Sequence, residues 1–112
     1  MLDFSKIPWR ATRHEGVHLH FLRRDEATGD ATVLIRMKSG CSYPVHRHVG
    51  VEEVFILQGG YRDSRGAHRA GDYVLNDAGS AHRPTALEET GEDCVMLAVA
   101  HSGIEILKSR EP

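Results

Sequence analysis

The chain has 112 residues, enough for one domain with a real core and too few for two. Its 40% hydrophobic and 27% charged residues are ordinary for a globular protein, and a net charge of -2 without a Lys/Arg stripe argues against nucleic acid as the main partner. No apolar run approaches the roughly 20 residues that span a bilayer and the N-terminus has no signal-peptide core, so a cytoplasmic protein without a membrane partner is expected.

In chain order, residues 1–15 contain Pro8-Trp9 and no clear period, and read as an N-terminal arm anchored by the single Trp. Residues 16–112 read as one barrel. Val17, Leu19 and Phe21 alternate with His18 and His20, and Thr28-Gly29-Asp30 is a turn signal. Val33, Ile35 and Met37 share one face of a second strand, which Ser39-Gly40 ends. Next comes the stretch from Gly40 to Gly59, with His46, His48, Glu52 and Glu53, closing on the apolar run Val54 to Leu57 expected to be buried on both faces. Tyr61-Arg62-Asp63 and Ala67-His68-Arg69 flank Ser64-Arg65-Gly66 as a hairpin. Tyr73 to Leu75 is a short strand, 76–80 a loop, 88–93 an acidic surface loop, Cys94 to Ala100 a strong strand, and Gly103 to Leu107 a final edge strand. No sustained helical period occurs, and turn signals recur between short strands. The prediction is an all-β fold, closed or two-layered to protect its edges.

Two features carry chemistry. There are 2 cysteines, Cys41 and Cys94, expected as reduced thiols: Cys94 packs in the core and nothing marks Cys41 as activated. There are 8 histidines, and their placement matters more than their number. On a strand His46 and His48 point the same way with backbones roughly 6.6 Å apart, so their imidazoles can converge on one ion.

Gly40, His46, His48, Glu52 and Gly59 match the first cupin motif, G-x5-H-x-H-x3-E-x6-G. Gly71, Gly79 and His82 match the second, G-x5-P-x-G-x2-H-x3-N, with Asp77 and Ala86 replacing the usual Pro and Asn. With Gln58 to Asp63, Ala70 to Val74 and Gly79 to Pro84, the chain resembles the ChrR-like branch of cupins over roughly residues 9 to 101. That branch includes the zinc-binding domain of an anti-sigma factor and free-standing proteins similar to acetylacetone-type dioxygenases. The resemblance implies a small cupin β-barrel, a double-stranded β-helix or jelly roll, with His46, His48, Glu52 and His82 holding one divalent metal ion, Fe, Zn, Mn or Ni.

Between the adjacent carboxylates, Glu52 is the expected ligand. It shares parity with both histidines if 46–57 is one extended run, and the x6 spacing to Gly59 selects it as well. Glu53 then faces away. His18 and His20 are expected to form the polar face of a strand, and His14, His68 and His101 to be surface residues. Val54, Ile56 and Gln58 follow the parity of Glu52 into the cavity. Tyr43, Tyr61, Arg36 and Arg69 are candidate substrate contacts. No catalytic residue beyond the metal ligands is identified.

Three neutral imidazoles and one carboxylate leave two positions of an octahedral ion open. The expected function is a metal-dependent dioxygenase-type oxidoreductase, binding in its barrel an oxygen-chelating molecule such as a diketone or hydroxyketone. The alternative is a non-catalytic zinc-binding module with a sensory or regulatory role. The 39 residues before Gly40 hold no cysteine and no room for a sigma-gripping zinc domain, which favours the free-standing enzyme. The resemblance also suggests a homodimer, to which Phe55 and Leu57 could contribute an interface, unless they are ordinary core.

Overall fold

The computed structural model describes residues 2–107; Met1, at the start of the arm, and residues 108–112, at the end of the expected barrel segment, lie outside the described residues. Among the described residues, twelve strands follow a 3-10 turn at Phe4–Lys6: β1 (Arg10–Ala11), β2 (Val17–Arg24), β3 (Ala31–Met37), β4 (His46–His48), β5 (Glu52–Gln58), β6 (Gly60–Asp63), β7 (Gly66–Arg69), β8 (Tyr73–Asn76), β9 (Ala81–His82), β10 (Thr85–Ala86), β11 (Cys94–Ala100) and β12 (Ile104–Ile106). The fold is all-β, as the alternating pattern predicts.

Six strands pair in the order β1-β2-β3-β11-β5-β8. Two three-stranded sheets, β10-β6-β7 and β12-β4-β9, complete the barrel. All named pairings are antiparallel. The inward residues of the large sheet are those the period-2 reading selects: Val33, Ile35 and Met37 from β3, Val54 and Ile56 from β5, Met96 and Ala98 from β11. Met37, Ile56 and Ala98 are fully buried. Cys94 joins this core, and burial pushes its thiol up to about 12, so it packs as a small apolar residue.

Two glycines turn the chain between sheets. Gly50 separates β4 from β5, and a Cβ there would lie 2.2 Å from the His101 carbonyl oxygen. Gly59, at φ +68, separates β5 from β6, and its Cβ would lie 2.6 Å from the Asp93 carbonyl oxygen. Only glycine admits both the close approach and, at Gly59, the left-handed backbone.

The first turn corrects one expectation. Residues 46–57 are not one extended run, because β4 and β5 belong to different sheets. The apolar run in β5 is not buried on both faces either: Phe55 is 43% exposed, beside exposed Tyr73 and Leu75 on β8. At the N-terminus, β1 pairs with β2, Trp9 Nε1 donates to the Phe4 carbonyl at 2.7 Å, and the Arg36 guanidinium lies 5.9 Å from the Trp9 ring.

Candidate metal centre

His46 and His82 are direct cross-strand partners on β4 and β9, and His48 follows on the same face of β4. Glu52 opens β5 in the large sheet and meets them from the other wall. One donor atom from each of these four side chains lies within 4.8 Å of every other, and this is the one such group among the described residues. His46 and His48 are 3% and 1% exposed and Glu52 8%, so the cluster is shielded from bulk water.

The hydrogen bonds assign the imidazole tautomers. His46 Nδ1 donates to the Pro44 carbonyl at 2.9 Å. His48 Nδ1 lies 3.0 Å from both the carbonyl and the hydroxyl oxygen of Ser80, and that hydroxyl spends its own proton on the Asp77 carbonyl. His82 Nδ1 donates to Asp63 Oδ2 at 2.9 Å. Each Nδ1 therefore carries the proton and each Nε2 presents a lone pair to the centre. His48 Nε2 is buried without a hydrogen-bond partner among the described residues.

This donor set fits a divalent cation. Two donors about 2.1 Å from one ion and about 90° apart sit roughly 3.0 Å from each other. His46 Nε2 and His82 Nε2 are 3.1 Å apart, as are His48 Nε2 and Glu52 Oε1. Nitrogen lone pairs and a carboxylate facing one another at that range repel unless a cation or a proton lies between them.

The electrostatics agree. Burial pushes His46 down to about 4, helped by His82 and opposed by the Pro44 carbonyl. Burial also lowers His82, against the pull of Asp63. For Glu52, burial acts upward, but hydrogen bonding to His48 and positive charge on the surrounding imidazoles outweigh it and leave the carboxyl below its ordinary value; a cation would supply that charge when the imidazoles are neutral. Neutral imidazoles and an ionised carboxylate are the protonation states that ligate metal.

Behind the four side chains stands a shell that the motif does not mention. Buried Asn76, opposite Glu52 across β5 and β8, donates Nδ2 to Glu52 Oε1 at 3.1 Å. Arg65, in the β6–β7 turn, donates to Asn76 Oδ1 and to the Leu75 carbonyl. Asp63, with its side chain 1% exposed, accepts from His82, from His68 Nε2 at 3.1 Å and from the Arg65 backbone N–H at 3.0 Å. Its two imidazole donors and this N–H hold the carboxyl below its usual range, against burial, which is the largest influence. His68 is thus no surface residue, because the hairpin register sets it opposite Tyr61 on the inner face. Sequence reasoning missed Asp63, Asn76, Arg65 and Ser80. The available signal was the general need of a ligating histidine for an acceptor at its second nitrogen.

A cavity of about 110 Å³ adjoins the cluster, of the same order as a cavity of roughly 150 Å³ that takes benzene. His46, Glu52 and His82 line one side, with aliphatic walls such as Val33, Ile35 and Met96 and the rings of Tyr43 and Tyr61. Of the four candidate substrate contacts, Tyr43 and Tyr61 thus line the cavity. Burial pushes Tyr43 up to about 12 and Tyr61 higher, so both phenols stay protonated. The Tyr61 hydroxyl is buried with no hydrogen-bond partner among the described residues. Arg36, Arg69 and Gln58 do not line this cavity. Arg36 pairs with Asp93 at 3.0 Å, Arg69 reaches Glu89 at the surface, and Gln58 Nε2 donates to the Asp93 carbonyl. A register shift between Val95 and Met96 accompanies the departure of Gln58 from the cavity. Glu53 faces away, as expected, accepting from Tyr73 Oη at 2.8 Å and from His101.

An antiparallel barrel with this inward cluster is a cupin. Solved structures share the fold: a putative acetylacetone dioxygenase from Methylibium petroleiphilum superposes with a TM-score of 0.79 at 18% identity, over 96% of this chain and 80% of that one. Residues 1–102 match the family described as the ChrR Cupin-like domain, and the chain belongs to it. The anti-sigma-E factor ChrR of Cereibacter sphaeroides is 38% identical over 65 residues, which is 58% of this chain and 30% of that protein. The crystal structure of Rhodobacter sphaeroides SigE in complex with the anti-sigma ChrR matches with a TM-score of 0.75 and 31% identity, covering 88% of this chain and 50% of the chain matched. The chain thus spans at most half the length of these two relatives.

Proposed function

We propose that His46, His48, Glu52 and His82 bind one divalent metal ion, and that the protein is a dioxygenase-type oxidoreductase acting on a small oxygen-chelating molecule such as a diketone or hydroxyketone. One observation carries this reading: four proton-free donor atoms converge at the wall of an apolar cavity. Zinc would supply Lewis acidity without redox chemistry, whereas iron, manganese or nickel would add electron transfer to dioxygen. The chain's own contributions are separable. The acceptors at Nδ1 orient the three rings, and Asn76 orients Glu52. The aliphatic walls bind the body of the ligand and exclude water from the reacting end. Among the described residues no lysine or arginine lines the cavity, which suits a neutral or singly charged ligand over a phosphate ester.

The test has two parts. Metal analysis should give one ion per wild-type chain and near none in His48→Ala and His82→Ala; full occupancy in both variants would remove the metal reading. The Fe(II)-loaded protein should then consume oxygen with a member of a diketone and aromatic hydroxyketone panel.

A second reading, a zinc-binding sensory or regulatory module, is favoured by the 31–38% identity to an anti-sigma factor. It expects zinc in protein from the native host and no oxygen uptake. Either reading includes a cytoplasmic homodimer using the exposed face around Phe55 and Tyr73; a monomer mass in sedimentation equilibrium would exclude the dimer.

A further inference from the structure

We propose that Asp63, locked by His68, sets the strength with which His82 binds metal, making the β6–β7 hairpin the affinity-determining element of the site. This rests on the reading that the cluster binds a divalent ion. The three imidazoles are held in different ways. His46 and His48 donate Nδ1 to neutral oxygens of Pro44 and Ser80, while His82 donates to a carboxylate. A hydrogen bond to an ionised acceptor is roughly twice as strong as one between neutral groups. It draws the Nδ1 proton and increases the electron density that Nε2 offers to a cation. The Asp63 side chain is 1% exposed, so water does not dilute the effect.

A buried carboxylate must itself be satisfied and oriented. Asp63 Oδ1 accepts from His68 Nε2 at 3.1 Å and from the Arg65 backbone N–H at 3.0 Å, which leaves Oδ2 aimed at His82. The Tyr61 ring, 4.9 Å from His68 between centroids, packs against that imidazole and fixes it. Register explains the delivery: Tyr61 pairs with His68 and Asp63 with Gly66, so one two-strand unit carries the whole arrangement to the back of His82. His68 acts through Asp63 and touches none of the four ligand side chains, so it is a positioning residue. An amide at position 63 could accept from one imidazole only, because its NH2 would meet the N–H of the other.

The experiment measures Zn(II) affinity by competition with a chromophoric chelator, with no turnover involved. Asp63→Asn should bind about 10- to 100-fold more weakly than wild type. Ser80→Ala, which leaves the backbone acceptor of His48 in place, should lose less than about threefold. His68→Leu should weaken binding by roughly three- to tenfold, and His68→Gln, whose amide can still donate to Asp63, should restore it. The Co(II)-loaded protein gives a second readout: the shifted Nδ1–H resonance of His82 should move in His68→Leu and return in His68→Gln. A general folding defect would not follow that pattern. If Asp63→Asn does not fold, the two His68 variants decide. Tight binding by wild type with equal affinity in Asp63→Asn, or equal affinities in the two His68 variants, overturns the proposal. No binding by wild type overturns the metal reading beneath it.

Discussion

The protein contains two His-x-His pairs on strands, and only one is part of a cluster. His46 and His48 on β4 converge with His82 and Glu52, and all are buried or nearly so. His18 and His20 on β2 have the same spacing, yet they lie opposite Arg36 and Leu34 on the other face of their strand from Val17 and Leu19. No third ligand gathers around them among the described residues. Spacing makes two imidazoles parallel, but neighbours from other strands make a site. The acceptors for Nδ1 come from Pro44, Ser80 and Asp63, two of them remote in sequence from the histidines they serve.

The sharpest way to break this comparison is to truncate both pairs. His48→Ala or His82→Ala should cost at least about 100-fold in metal affinity, read by chelator competition, while His18→Ala and His20→Ala leave it unchanged. Loss of metal from the β2 variants would mean that the two pairs are not distinct.

The two faces of β5 make the next contrast. Ile56→Ala, in the closed core, should lower unfolding free energy in urea by about 2–5 kcal/mol, whereas Phe55→Ala on the exposed face should cost under about 1 kcal/mol at monomer concentrations. Equal losses would show that the outer face is covered in solution.

Acid should act through His46. His46 has a folded pKa of about 4 against 6.5 for the ordinary group, so the unfolded chain takes up the proton first. Stability of the metal-free protein is therefore fully present above about pH 6.5 and falls as pH drops toward 4, by an amount on the order of 3 kcal/mol. His82, also lowered by burial, acts in the same direction. Denaturant midpoints that stay constant between pH 7 and 4 would contradict this burial of neutral imidazoles.

The smallest effect concerns Tyr61. Its hydroxyl is buried without a hydrogen-bond partner among the described residues, so Tyr61→Phe should leave thermal stability unchanged or raise it by roughly 1 kcal/mol. A clear loss of melting temperature would show that the phenol has a structural partner.

Much of the architecture was legible because it depends on local alternation. The strands, the hairpin around Ser64-Arg65 and the inward faces of β3 and β11 follow from period 2 and turn residues. Glu52 was selected in part by a parity count along one strand that the fold does not contain. The count still picks the carboxylate that joins the cluster, because β5, after the corner at Gly50, faces β4 from the opposite wall with its even positions inward. The same parity failed at Gln58, where the chain approaches Gly59 and the β11 register shifts. His68 looked like a surface residue because a hairpin's buried face is invisible until the barrel behind it is known.

By itself, then, the sequence determined the all-β period, the glycine corners, and the three histidines and one glutamate at the spacings that mark the family. These are local properties of backbone sterics and side-chain chemistry. Only the tertiary structure decided which His-x-His pair gains a carboxylate and a third imidazole, which oxygens hold each ring, and that an apolar cavity adjoins them. Those depend on pairing between strands far apart in the chain, where the free energy comes from burying surfaces that no single segment possesses.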